Sequence, residues 1–134
     1  MHNKILGYQQ YVQQQKKEVT EVSPKTYLES TSSYPVLIDV REPQEYQSGI
    51  LSGAQMIPRG LLEAKLADMP ICKHLPQPLE WLADQNILLY CHTGGRSALA
   101  AYSLQQMGFS KVFSLAGGVE QWQKLDLPMT SIEG

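Results

Sequence analysis

The 134-residue sequence predicts one α/β domain whose parallel sheet is covered by helices on both faces. Three observations carry that prediction. Short aliphatic runs alternate with segments of helical periodicity along the chain. The run PVLIDV at 35–40 is continuously apolar, as a strand buried on both faces of a parallel sheet requires. With 43% hydrophobic and 18% charged residues, there is enough apolar side chain for one core, and no low-complexity linker divides it.

Each element has a local reason. Residues 3–18 place Ile5, Tyr8 and Val12 at near-helical spacing in a glutamine- and lysine-rich background, predicting a short amphipathic helix whose partner the sequence does not name. Ser23 followed by Pro24 has the form of an N-cap and first helical position, with Tyr27 and Leu28 supplying an apolar stripe. After the strand at 35–40, REPQEY opens a turn and a short helix. Residues 55–57 form a short strand closed by Pro58, and LLEAKLADM at 61–69 reads as a helix before a proline-broken loop from Pro70 to Pro78. A strand at 86–90 follows, then a helix at 97–107 carrying Leu99, Ala100, Ala101, Tyr102 and Leu104 and ended by Gly108. A last strand spans 112–115, and the pair Gly117-Gly118 turns into a final helix at 119–125.

Charge and cysteine usage exclude several functions. A formal net charge of -2 leaves no basic surplus for nucleic acid or an anionic membrane. No apolar run approaches the ~20 residues a membrane span needs, and the N-terminal segment lacks the apolar centre of a signal peptide. Two cysteines, Cys72 and Cys91, are too few for a disulfide-stapled scaffold. Both are read as reduced thiols, so a soluble cytoplasmic protein is expected.

Cys91 stands where the buried strand 86–90 ends and the loop to the next helix begins, the ligand-binding edge of an open α/β sheet. In CHTGGR, Gly94 and Gly95 let the backbone curl with its N–H groups inward and a helix N-terminus aimed the same way. Such a nest attracts an anion and stabilises thiolate over thiol, which makes Cys91 nucleophilic at neutral pH. The alternative is a small buried hydrophobe finishing a strand. It gives no reason for the flanking glycines or for Arg96.

The pieces DVREPQEY (39–46), GILSGAQMIP (49–58), YCHTGGRSALAA (90–101) and VFSLAGGVEQW (112–122) together resemble a single rhodanese domain. The resemblance covers residues 18–130, leaving 1–17 as a helical extension and 131–134 as a tail. It implies a five-stranded parallel sheet flanked by helices on both faces, with the loop from Cys91 to Arg96 cupping the active site. It also implies that Cys91 is catalytic. The cysteine takes a sulfane sulfur from a small-molecule donor such as thiosulfate, holds it as a persulfide, and passes it to cyanide, a cellular thiol or a protein acceptor. No metal and no organic cofactor are required. His92, Thr93, Gly94, Gly95, Arg96 and Ser97 form the active-site loop, the first four contributing mainly backbone, with the His92 side chain pointing outward. Arg96 either holds a sulfonate oxygen of the donor or braces the loop against a carboxylate. Asp39 and Arg41 are supporting residues, Asp39 ordering the catalytic loop and Arg41 pairing with Glu45 across the turn. Arg59 is expected at the solvated surface, and Gly117, Gly118 and Trp122 serve turn geometry and core packing. The chain departs from the family pattern at Ile50-Leu51, where many members have histidine and isoleucine, and at Met56, often asparagine; both changes concern local packing.

Cys72 is read as a buried cysteine, the alternative being a second thiol that receives sulfur from Cys91. With His74 it forms a C-x-H pair that lacks the second pair a zinc site needs. Two other functions compete. Dual-specificity phosphatases share this fold but have a loop one residue longer between cysteine and arginine; the tighter cup here suits a sulfur atom better than a phosphoryl group, so phosphatase or arsenate reductase comes second. Third is a non-catalytic sulfur-carrier or binding module, with the N-terminal segment docking a partner.

Overall fold

A computed structural model describes residues 4–132, so the ends of the extension and of the tail, 1–3 and 133–134, lie outside the described residues. The elements run α1 (Tyr8–Lys16), β1 (Thr20–Val22), α2 (Pro24–Glu29), β2 (Val36–Asp39), β3 (Gln55–Met56), α3 (Leu62–Lys65), α4 (Pro78–Ala83), β4 (Ile87–Tyr90), α5 (Gly95–Gln106), β5 (Val112–Leu115) and α6 (Gly118–Lys124). The strands form one sheet in the order β1-β5-β4-β2-β3, and every pairing is parallel.

β2 and β4 are buried at every position, which is why their sequences are apolar runs rather than alternations. Alternate residues feed two cores. On one face Val36, Ile38, Ile87 and Leu89 pack with Leu62, Leu82, Ala100, Ala101 and Leu104. On the other, Leu37, Leu88 and Tyr90 pack with Tyr27, Val119 and Trp122. Helices therefore cover both faces, as the sequence predicted.

Several boundaries differ for physical reasons. β1 is an edge strand of three residues with only Val22 buried, too short to show a period. α4 begins at Pro78, the last residue of the stretch read as a proline-broken loop, and runs on through residues given no element by the sequence; Pro78 opens the helix, the position where a missing N–H costs nothing. The segment 61–69 is not one helix but four α-helical residues between 3-10 turns. Ser23 caps α2 as expected, its hydroxyl accepting from the Thr26 amide at 3.1 Å. α5 starts at Gly95, two residues before the expected start, so the cysteine loop is short.

Candidate active site

Cys91 follows β4, which lies between β2 and β5, so its backbone emerges at the centre of the carboxyl edge. Gly94 turns the chain with φ +98, and a Cβ there would meet the Gly117 amide nitrogen at 3.3 Å. That turn aims the amide N–H groups of Gly94 and Ser97 at Sγ of Cys91, at 3.2 and 3.3 Å. Ser97 lies in the first turn of α5, where amides have no helical partner and the helix dipole favours negative charge. Oγ of Ser97 is 3.6 Å from the same sulfur. Cys91 is 1% exposed, yet its sulfur meets amides as well as the aliphatic core.

The carbonyls of the loop are turned the other way. The Cys91 carbonyl accepts from the Val119 amide at 3.0 Å and the His92 carbonyl from the Glu120 amide at 2.8 Å. The N-terminus of α6 thus ties the acceptors outward and frees the donors to point in. Gly118 makes this approach possible: its φ is +55, and a Cβ would overlap the carbonyl oxygens of Cys91 and His92. Gly118→Ala is expected to cost about 3 kcal/mol, from left-handed strain and overpacking together, measured by urea unfolding. The sequence assigns the glycine pair to turn geometry and core packing. Its placement after β5, at the edge it shares with the Cys91 loop, was the available signal.

Arg41 does not pair with the Glu45 carboxylate, correcting the expectation for that residue. Its Nε and Nη2 and its own amide donate to the Asp39 carboxylate, with Nη2 at 2.8 Å, and both residues are buried. The guanidinium also donates to the carbonyls of Gly49 at 2.7 Å and Glu45 at 3.1 Å. Asp39 therefore orders residues 41–49, and no hydrogen bond joins it to 91–97 among the described residues. The Glu45 carboxylate instead takes a bidentate pair from Arg96 at 2.7 and 2.9 Å. A fork–fork bond of this kind holds the wall of the loop against the segment that Arg41 organises. Arg96 thus stands braced by a carboxylate, one of the two arrangements expected for it.

That pairing is pH-sensitive. The Arg96 hydrogen bonds, helped by the Glu42 amide, hold the Glu45 carboxyl down at about 2 against an ordinary 4.5. A depressed carboxyl stabilises the fold fully above its unfolded value and loses that contribution as pH falls toward the folded one. Glu45→Gln is expected to cost about 1 kcal/mol at neutral pH, the value of a partly exposed pair. The difference in urea midpoints should close between pH 4.5 and 2.

The remaining residues fall outside the cup. His92 and Thr93 are exposed, with His92 Nε2 3.9 Å from the Glu120 carboxylate. Arg59 pairs with Glu63 at 2.9 Å. Cys72 is buried in the core, which pushes its thiol pKa up, while His74 is exposed. No cluster of three or more metal-ligating side chains occurs among the described residues. No helix among them is long and apolar enough to cross a membrane. α1 packs along α5 through buried Val12, with the Tyr8 hydroxyl against Gly95, where a Cβ would collide with it. The N-terminal helix thus finds its partner within the chain. The sequence did not show Glu45 as the partner of Arg96, the contact between the Ser97 and Ser114 hydroxyls at 2.8 Å, or the role of Gly118.

A thiol that takes two amide N–H groups at the carboxyl edge of a five-stranded parallel sheet defines the class: an α/β domain with a cysteine loop at its ligand-binding edge. A model of the Rhodanese-like domain matches residues 23–125, and the chain belongs to that family. A thiosulfate sulfurtransferase GlpE of Ectopseudomonas mendocina is 34% identical over 106 residues, covering 79% of this chain and 86% of the relative. The probable adenylyltransferase/sulfurtransferase MoeZ of Mycobacterium tuberculosis is 38% identical over 90 residues, covering 66% of this chain but only 20% of that protein. A solved structure from Rhodopseudomonas palustris, described as a possible tyrosine phosphatase, superposes with a TM-score of 0.75 at 26% identity, covering 92% of this chain and 94% of the other.

Proposed function

We propose that this chain is a sulfurtransferase that carries sulfane sulfur as a persulfide on Cys91, from a small donor such as thiosulfate to cyanide, a thiol or a protein acceptor. The supporting observation is the pair of amide N–H groups, from Gly94 and Ser97, 3.2 and 3.3 Å from Sγ. Fixed donors in a nearly closed cup stabilise an anionic sulfur without reorganisation.

The electrons balance in two displacements. The Cys91 thiolate attacks the sulfane sulfur of thiosulfate; a new S–S bond forms, the donor's S–S bond breaks, and sulfite leaves with the electron pair. The acceptor, cyanide or a thiolate, then attacks the outer sulfur and returns the pair to Cys91. Neither step needs a general base once the sulfur is ionised. The Glu45 pair engages one edge of the Arg96 fork, and the remaining N–H groups, which have no partner among the described residues, are available to the sulfonate of the donor. We place the protein in the cytoplasm, where thiols stay reduced; Cys72 and Cys91 are both free.

Phosphoryl transfer is the second reading, favoured by the Rhodopseudomonas palustris neighbour. Against it stand the four residues between Cys91 and Arg96, a tighter cup that suits a sulfur atom better than a phosphoryl group. Thiocyanate formation from thiosulfate and cyanide, run beside hydrolysis of an aryl phosphate, separates the two. Thiocyanate alone is expected. Cys91-dependent phosphate release without thiocyanate would overturn the proposal.

A further inference from the structure

We infer that Ser114 is a positioning residue for the sulfur of Cys91, acting through Ser97, so that two coupled hydroxyls follow that sulfur between its neutral and anionic forms. The inference deepens the sulfurtransferase reading and rests on it. Ser114 sits on β5 beside Leu89 of β4, on the face lined by Val112, Ile87, Ala100, Ala101 and Leu104. It is fully buried. A hydroxyl in such a place is costly unless it is bonded. Its oxygen lies 2.8 Å from Oγ of Ser97, which is itself 3.6 Å from Sγ of Cys91.

The amides of Gly94 and Ser97 only donate, so they serve an anionic sulfur and offer nothing to an S–H proton. A hydroxyl donates or accepts by rotation. With a thiol, S–H points to Ser97 Oγ, and the Ser97 proton points to Ser114. With a thiolate or persulfide, the Ser97 proton turns to the sulfur. Its oxygen then becomes a better acceptor and accepts a hydrogen bond from the Ser114 O–H, a cooperative chain in a low-dielectric interior. No proton leaves the pair when it turns. Ser97 alone would give the sulfur a third donor; Ser114 strengthens that donor when negative charge is present.

Alkylation of Cys91 by iodoacetamide near neutral pH, followed by peptide mass with Cys72 as internal reference, reads sulfur nucleophilicity without any sulfur donor. Ser114→Ala is expected to slow it about 3- to 10-fold, with an unchanged melting temperature within a few degrees. Ser97→Ala should slow it at least as much. The double variant should be no slower than Ser97→Ala, because the two residues act in series. Ser114→Thr keeps the hydroxyl and should recover the rate to within about twofold. With thiosulfate and cyanide, Ser114→Ala should lower kcat and leave KM for thiosulfate unchanged. Wild-type alkylation in Ser114→Ala, or multiplicative losses in the double variant, would overturn the relay, and the double variant decides if the threonine fails to fold. A wild-type chain that takes no sulfur from thiosulfate would instead remove the function proposed above, with the alkylation series still deciding the relay.

Discussion

Cys91→Ser is expected to fold as the parent does and to form thiocyanate at least about a thousandfold more slowly, down to the limit of detection. The hydroxyl fits the same cup, and the amides at 3.2 and 3.3 Å satisfy an oxygen as readily as a sulfur, so the loop keeps its shape. An alcohol is not ionised at neutral pH and forms no bond to sulfane sulfur that an acceptor then reverses. Cys72 offers no substitute. Its burial raises its pKa and keeps it protonated at neutral pH, and only thiolates attack sulfur. The check pairs thiocyanate assay with circular dichroism and a urea midpoint, so that a loss of chemistry is not mistaken for a loss of fold.

Arg41→Ala is expected to give the largest fall in stability, about 3–5 kcal/mol in urea unfolding, because it strands a buried carboxylate. Asp39 is fully buried and takes its bonds from the guanidinium and amide of residue 41. The same guanidinium satisfies the Gly49 and Glu45 carbonyls and lies 5.7 Å from the centre of the Tyr90 ring. Against a total of about 5–15 kcal/mol for an ordinary domain, such a loss leaves little margin. Arg41→Lys should recover only a minor part, since an ammonium cannot bridge a carboxylate and two carbonyls with a planar fork. Replacing Asp39 and Arg41 together by leucine and methionine should cost less than Arg41→Ala alone. A loss below about 1 kcal/mol in Arg41→Ala would contradict this account of the pair.

The legibility of the fold in the sequence follows how much each residue's environment is set locally. PVLIDV and NILLY announced central strands because both faces of those strands are buried, leaving no polar position to blur the pattern. Thr20–Val22 announced nothing, since an edge strand with one buried residue is indistinguishable from loop. Pro78 misled: a proline reads as a breaker until the structure shows that it begins a helix. At the site, the cysteine and its glycines were legible because the curl of the loop is a property of consecutive residues. The partners were not. Arg41 has three acids nearby in sequence, Asp39, Glu42 and Glu45, and the turn that follows it points to the last. The choice went to Asp39 because β2 carries that carboxylate into the interior, where only a bonded cation tolerates it, while Glu45 faces Arg96 from 51 residues away. Ser114 is one small polar residue in an apolar strand, and only the sheet register sets it beside Ser97.

All of this turns on whether the amide-lined cup holds a transferable sulfur. Incubating the reduced protein with thiosulfate, removing the donor and weighing the peptides by mass spectrometry tests that directly. The account predicts one added sulfur atom on the peptide containing Cys91, removed by cyanide and absent from Cys91→Ser. Sulfur found on the Cys72 peptide, or equal labelling of the serine variant, would contradict it.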